Sequence, residues 1–162
     1  PEFKAVFEIS LIVPPGLEAV SNSPLSRQSK HVSGKKLLHF SPTIKMSTYL
    51  VAFVVGDLSA SEPVFSRNGK PIRIWSQKGK QHLVDFGLGW AKNSLDYFAD
   101  YFGIEYPGQK LDLVAIPDFA SGAMENFGCI TFRETALLVD TETATQQELK
   151  RVAEVISHEN AH

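Results

Sequence analysis

The sequence predicts an α+β protein, with an antiparallel β region in its first third and a mixed helix–strand region after it. Two observations predict this division. Apolar residues occupy the odd positions from Phe3 to Val13, the period of a half-buried strand. Residues 81–102 and the segment after Thr145 instead repeat apolar side chains at helical spacing. The sequence pattern changes near Ser59–Pro63, from short strands to a mixture of strands and helices. This change predicts two domains, residues 1–61 and 62–162.

Composition excludes several classes of function. The 162 residues carry 16 Lys and Arg against 18 Asp and Glu, a net charge of −2. Because no basic field exists to hold a polyanion, we do not expect nucleic acid as a partner. The longest strongly apolar run, residues 49–55, is far shorter than the ~20 residues of a membrane-spanning helix. The single cysteine, Cys129, cannot form an internal disulfide, and we expect it to be buried and inert.

Short strands fill the first domain. Pro14-Pro15-Gly16 ends the first of them, since neither proline can donate to a strand ladder. Apolar segments follow at residues 19–20, 37–40 and 49–55 with Ser, Pro and Gly between them. Several strands at this spacing predict an antiparallel sandwich or saddle.

The second domain mixes strands and helices. Asn68-Gly69 predicts a hairpin between residues 63–67 and 70–76. A helix follows over 81–102, then a buried strand over 111–116 and an extended stretch over 122–133. We expect the aromatic residues of this region to be core, namely Trp75, Trp90, Tyr97, Phe98, Tyr101 and Phe102.

The last segment is predicted to be a capped helix. Thr145 and Glu148 have the spacing of a capping box. An apolar stripe of Leu149, Val152, Ala153 and Ile156 follows. At ~100° per residue, His158 and His162 differ by only ~40° around the axis and lie opposite this stripe. The stripe can therefore be buried while both imidazoles face a separate cavity.

His158-Glu159-Asn160-Ala161-His162 fits the pattern H-E-x-x-H. Two neutral imidazoles one turn apart can bind one zinc ion and leave positions for another ligand and a water. Glu159 can then act as general base for that water and return the proton to the leaving amine. An ordinary helix with surface histidines would show the same five residues.

A second motif is Gly122-Ala123-Met124-Glu125-Asn126. It can be simply a loop joining two strands. As an extended segment, however, it can lie along a peptide substrate as an added strand. Glu125 can then pair with the free α-ammonium of the substrate, which would confine cleavage to its first residue.

The two motifs together resemble the zinc aminopeptidases of the gluzincin clan, of the alanyl and puromycin-sensitive type. Flanking sequence strengthens the resemblance, at residues 116–120 (Ile-Pro-Asp-Phe-Ala), 127–128 and 131–138. Residues 47–56 are similar to the end of that family's N-terminal saddle domain, so the resemblance covers essentially the whole chain. It implies the C-terminal part of a β saddle, followed by the first half of a thermolysin-like catalytic domain.

The resemblance also implies roles for individual residues. His158 and His162 match two ligands of one zinc ion, and Glu159 matches the general base. Glu125 matches the anchor of the substrate's amine, and Gly122, Ala123 and Met124 match backbone that lines the cleft. Peptides with a free N-terminus are the implied partners, and Asn126 is assigned to local structure.

Two departures from the family pattern matter. The family's third zinc ligand and its oxyanion-stabilising tyrosine fall beyond His162, so we expect an internal fragment that is inactive alone. A non-catalytic piece that acts as a binding or scaffold module is the alternative. Asn160 stands where the family usually has an apolar residue, and an unpartnered amide there would cost roughly 1–3 kcal/mol. The single thiol favours the cytosol, although any signal peptide would precede Pro1.

Overall fold

The computed structural model describes residues 2–162, and within them it contains eleven strands and two α-helices. Short 3₁₀ turns lie at Thr48–Leu50, Gln81–Leu83 and Glu134–Ala136. The helices are α1 (Asp85–Phe102) and α2 (Gln146–Ala161). The strands are β1 (Ser10–Val13), β2 (Glu18–Ser21), β3 (Leu25–Lys30), β4 (Lys36–Phe40), β5 (Phe53–Gly56), β6 (Leu58–Ala60), β7 (Val64–Phe65), β8 (Pro71–Gln77), β9 (Leu111–Ile116), β10 (Ala123–Met124) and β11 (Cys129–Arg133).

The N-terminal region is antiparallel, as predicted. Strands β1, β4 and β3 form one sheet in that order, and β2 pairs with β5 in another. The strand predicted from residue 3 is shorter, because only β1 joins the ladder and Ala5 forms a single bridge with Met46. The ladder is interrupted near Phe7. Pro42, in the segment opposite, has no N–H to donate, and the Phe7 N–H donates to the Thr43 side chain rather than to a carbonyl. Phe3 is 90% exposed and lies outside the core.

A mixed sheet forms the core of the C-terminal region. Its order is β10-β11-β9-β8-β6, with β7 also paired to β8. Strands β8, β9 and β11 are parallel neighbours, and both helices cover one face of them. On the other face Val114 and Cys129 pack against Val20 and Leu58. Burial on both faces explains why β9 is a continuous apolar run apart from Asp112.

Hairpin and strand predictions in this region are confirmed. β7 and β8 pair around Asn68-Gly69, with Val64 opposite Ile72 and Gly69 at a φ of 81°. The extended stretch over 122–133 folds into the antiparallel pair β10–β11. The predicted boundary between residues 61 and 62 stays a prediction, and β6 on its N-terminal side is hydrogen-bonded to β8.

The helix α1 corrects one expectation. Its buried face consists of Leu88, Ala91, Leu95 and Ala99, at helical spacing. Four of its aromatic residues, Trp90, Tyr97, Tyr101 and Phe102, are exposed, so the expectation that they are core is wrong. Phe98 and Trp75 are half-buried. None of the helices within residues 2–162 is both long and apolar enough to cross a membrane.

Candidate metal centre and substrate cleft

The helix α2 presents two opposite faces, as its sequence predicts. The capping box is complete: the Thr145 N–H donates to Glu148 Oε2 at 2.7 Å, and the Glu148 N–H donates to Thr145 Oγ1 at 3.2 Å. Val152 and Ile156 are buried in the core that α1 and the sheet share. The histidines at positions 158 and 162 face solvent from the other side. The capped start and the buried stripe together fix the orientation of the motif.

The two imidazoles lie one above the other. Nε2 of His158 and Nε2 of His162 are 3.2 Å apart, and the ring centroids are 4.9 Å apart. Two nitrogen ligands of one tetrahedral zinc, each about 2.0–2.1 Å from the metal, are roughly 3.3 Å from each other. The spacing of the nitrogens therefore fits a shared ion.

Glu159 is a buried carboxylate beside these rings. It is 9% exposed, and among residues 2–162 no hydrogen-bond partner reaches its Oε2. Burial raises the pKa of Glu159; the nearby imidazoles lower it, and the Glu125 carboxylate adds to the increase. A buried acid with an open oxygen at the edge of a cleft is suited to proton transfer.

Glu125 reaches the same place from a different element. It follows β10 and is half-buried. Glu125 and Glu159 each offer a carboxylate oxygen and His162 offers an imidazole nitrogen. These three atoms lie within 4.8 Å of one another. The fold therefore brings both sequence motifs together, although a sheet and a helix carry them. The group has two acids and an imidazole, so its chemistry suits either a cation or a substrate ammonium.

Gly122, Ala123 and Met124 form the open edge of the mixed sheet. On one side the strand is paired with β11, Ala123 opposite Phe132 and Met124 opposite Thr131, and Gly122 O accepts from the Arg133 N–H at 2.9 Å. Within the described chain no strand pairs with the other side. All three residues are half-buried. A free strand edge of this kind can add an extended peptide.

Two hollows adjoin these residues. One, of about 300 Å³, is bordered by Gly122 and Ala123 on the sheet and by His158 and Glu159 on α2. The other, of about 340 Å³, has Glu125, Glu159 and His162 on its polar side. Its opposite wall is apolar and includes Leu95, Phe98 and Phe102 of α1. Glu125, Glu159 and His162 therefore all border the second hollow, and Glu159 borders both.

The two asparagines of the motifs are structural in this fold. Asn126 is buried, and its Oδ1 accepts from Thr131 Oγ1 at 3.1 Å, which agrees with the assignment to local structure. Asn160 faces the core side, as its helical angle predicts. Its Nδ2 donates to Ala91 O at 3.1 Å and to Ser94 Oγ at 2.7 Å, while its buried Oδ1 has no partner in residues 2–162.

Sequence reasoning missed Lys110 and Asn22. Lys110 is 7% exposed, and its Nζ donates to Asp112 Oδ2 at 2.6 Å and to the carbonyls of Ser21 and Gly128. Asn22 bonds to the backbone beside Glu125. The signal for Lys110 was present, because Asp112 interrupts an otherwise apolar strand and a buried acid needs a partner. Asn22 lies in a loop and carried no such signal.

Cys129 is as expected. It is fully buried, and burial raises the pKa of its thiol to about 12. Two other histidines are hydrogen-bonded to serine side chains, His31 to Ser33 and His39 to Ser10.

Two family profiles and several curated proteins are similar to this chain. Residues 1–50 match the profile of the Peptidase M1 N-terminal domain, and residues 86–162 match the Peptidase family M1 domain. The whole chain aligns with Aminopeptidase M1-A of Oryza sativa subsp. japonica at 45% identity, Glutamyl aminopeptidase of Sus scrofa at 41% and Alanine/arginine aminopeptidase of Saccharomyces cerevisiae at 43%. It spans 18%, 17% and 19% of the length of these relatives.

Both profiles describe domains of peptidase family M1, and the relatives are aminopeptidases by name. The chain belongs to peptidase family M1. It contains part of the N-terminal domain and the beginning of the peptidase domain, which confirms the family resemblance and the α+β fold predicted from the sequence.

Proposed function

We propose that this chain is the part of a zinc aminopeptidase that holds two metal ligands, the general base and the amine anchor. The observation that carries the proposal is the convergence of both motifs. Two imidazole nitrogens lie 3.2 Å apart, and the Glu125 carboxylate lies within 4.8 Å of Glu159 and His162. The substrate class is peptides with a free N-terminus.

His158 and His162 would hold the zinc ion. Neutral imidazole is a preferred zinc ligand, and the separation of the two nitrogens suits one tetrahedral ion. When bound, zinc supplies Lewis-acid polarisation of the scissile carbonyl and lowers the pKa of water. The resemblance places the third ligand outside these 162 residues, so we expect the chain alone to bind zinc weakly and to show no turnover.

Glu159 transfers the proton. Its unpartnered Oε2 is free to accept a proton from the attacking water, and the same oxygen can return that proton to the leaving amine. Its burial raises its pKa, so the protonated form becomes accessible nearer to neutral pH. A buried acid of this kind can be both base and acid within one cycle.

Glu125 and β10 orient the substrate. A peptide added to the free edge of β10 takes its backbone hydrogen bonds from the strand, and its first residue lies beside Glu125. The carboxylate of Glu125 then pairs with the α-ammonium. An N-acylated peptide lacks that charge, so the chain is expected to select free N-termini.

Zinc binding tests the metal ligands. Isothermal titration of the 162-residue chain with Zn²⁺ should show one site, and His158→Ala should weaken it by at least tenfold. His82→Ala is the matched control, since His82 is exposed on a 3₁₀ turn. Equal binding by the chain and by His158→Ala would contradict the ligand assignment.

Turnover tests the base and the anchor. This chain would replace the aligned segment of Aminopeptidase M1 from Arabidopsis thaliana, with which it is 44% identical. In that chimaera Glu159→Gln should lower kcat by roughly 10²–10⁴-fold, and Glu142→Gln, an exposed change outside the cleft, should not. A folded, zinc-bound chimaera without turnover would instead support the non-catalytic module.

A further inference from the structure

We infer that Asn22, in the N-terminal region, is a positioning residue for Glu125. The inference rests on the proposed function of Glu125 as amine anchor. It assigns to the β region a role in the site: the loop Glu125–Gly128 keeps its place because the chain around Asn22 holds it. Two independent sets of contacts carry the argument.

The first set is the amide of Asn22 itself. Asn22 is 3% exposed, and its Nδ2 donates to Leu50 O at 2.8 Å and to Phe127 O at 2.7 Å. Its Oδ1 accepts from the Ala52 N–H at 2.9 Å. One buried side chain thus joins two segments of the N-terminal region to the residue two positions after Glu125. Both amide hydrogens are used, and buried amides with every hydrogen bonded specify a single arrangement.

The second set joins the backbones next to it. Lys110 Nζ bridges Ser21 O at 2.5 Å and Gly128 O at 2.9 Å. Gly128 has a φ of 72°, and a Cβ there would lie 2.2 Å from Asn22 O. The two loops therefore touch backbone to backbone, an approach that only glycine permits. The Glu125 loop cannot shift away without breaking bonds at both Asn22 and Lys110.

These contacts hold one end of the loop, and the β10–β11 pair holds the other. Met124 is fixed opposite Thr131, and Phe127 is fixed by Asn22. Glu125 lies between these two points, so its carboxylate is held toward Glu159 and His162. Without the bond to Asn22, Phe127 O loses its donor, and this end of the loop is held only through its neighbours Asn126 and Gly128.

Hydrogen exchange on the metal-free chain tests whether Asn22 holds the loop. Asn22→Asp keeps the shape of the side chain but replaces its donor with an oxygen that faces two carbonyls. The amides of Asp112 and Cys129, which donate to Gly128 O and Asn126 O, should exchange at least about tenfold faster. The amides of Val152 and Ile156 in α2 should be unchanged. Asn93→Asp, at an exposed position of α1, is the control.

Ligand selection tests whether holding the loop matters. The zinc-loaded chain is titrated with leucine amide and with N-acetyl-leucine amide. The chain should prefer the free amine by about tenfold or more, and Asn22→Asp should lose that preference while its zinc affinity is retained. If Asn22→Asp does not fold, Asn22→Ser removes the same bonds without adding charge.

The outcomes separate the two proposals. No preference by the unmodified chain would overturn the assignment of Glu125 as amine anchor, and the positioning role with it. A preference that survives in the folded Asn22 variants would overturn the positioning role alone. An equal loss of affinity for both ligands, with faster exchange throughout α2, would show that Asn22 is only a structural residue.

Discussion

Two groups of charged residues each contain a buried charge, and they differ in how well that charge is satisfied. Lys110 and Asp112 form an ion pair with 8% and 10% of their side chains exposed. Lys110 donates three hydrogen bonds, two of them to carbonyls. Glu125 and Glu159 bring two like charges together beside two histidines, and Glu159 Oε2 has no partner in the described residues.

The difference separates structure from function. A buried charge whose bonds are all made joins parts of the fold, and Lys110 joins the N-terminal loop at Ser21 to the loop at Gly128. A buried charge left without bonds destabilises the fold and persists because something else uses it. The first group should therefore contribute stability, and the second should reduce it in the absence of a metal.

The largest effect is expected from breaking the satisfied pair. Lys110→Met leaves Asp112 buried without its cation, and the free energy of unfolding should fall by about 3–5 kcal/mol. Urea denaturation measures the change. Lys78→Met is the control, because the Lys78–Asp57 pair is exposed and should contribute less than about 1 kcal/mol. Similar losses in both variants would mean that burial does not distinguish the pairs.

Cys129, in the same buried region, should make the stability of the protein depend on pH. Its pKa of about 12 lies above that of an unfolded thiol, about 8.5, so the native state keeps the proton when the unfolded chain loses it. The stability from the thiol is complete below pH 8.5 and is lost as the pH rises toward 12. Relative to Cys129→Val, the chain should lose roughly 1–2 kcal/mol between pH 7 and pH 10.

Urea denaturation at both pH values measures this difference. Burial also raises the pKa of Tyr106, but that tyrosine is common to both proteins, so the comparison isolates Cys129. An identical pH dependence in the two proteins would contradict the burial of the thiol.

Removing the unpartnered carboxylate of Glu159 should raise the free energy of unfolding, whereas breaking the Lys110–Asp112 pair lowers it. Glu159→Met removes a buried carboxylate that lacks a partner, and the metal-free chain should become more stable by about 1 kcal/mol. Thermal unfolding without zinc measures the shift. Glu154→Met, at an exposed position of the same helix, should change the stability by less than about 0.5 kcal/mol. A clear loss of stability in Glu159→Met would show that the carboxylate is structural.

Sequence alone predicts those parts of the structure that depend on short-range chemistry. The capping box at Thr145, the hairpin at Asn68-Gly69 and the stacking of His158 on His162 all follow from spacing within a few residues. The family resemblance also predicted that Glu125 lies in one site with the histidines. The spacing of residues along the chain cannot predict such a long-range contact. The roles given to these residues remain predictions.

Long-range contacts are what the sequence does not predict. Asn22 and Phe127 meet only after β2, β5 and β11 have been assembled. The expectation for the aromatic residues of α1 was wrong for a related reason: helical spacing shows which residues share a face, but not which face the sheet covers. Ala91 and Ala99 take that face because small residues allow α1 to approach closely.

The smallest effect is expected at Asn160, which combines features of both groups. Its Nδ2 is bonded to Ala91 O and Ser94 Oγ, yet its Oδ1 is buried and unpartnered. Asn160→Leu loses two hydrogen bonds but also removes the unpartnered oxygen and adds apolar surface, so the net change in unfolding free energy should stay within about 1 kcal/mol. Asn160→Asp keeps the shape and loses both donors, and it should lose about 2 kcal/mol. Zinc affinity should be unchanged in Asn160→Leu, because the side chain faces away from the imidazoles. If Asn160→Leu lost as much stability as Asn160→Asp, the two donated bonds would outweigh the unpartnered oxygen, and Asn160 would be a stabilising group as Lys110 is.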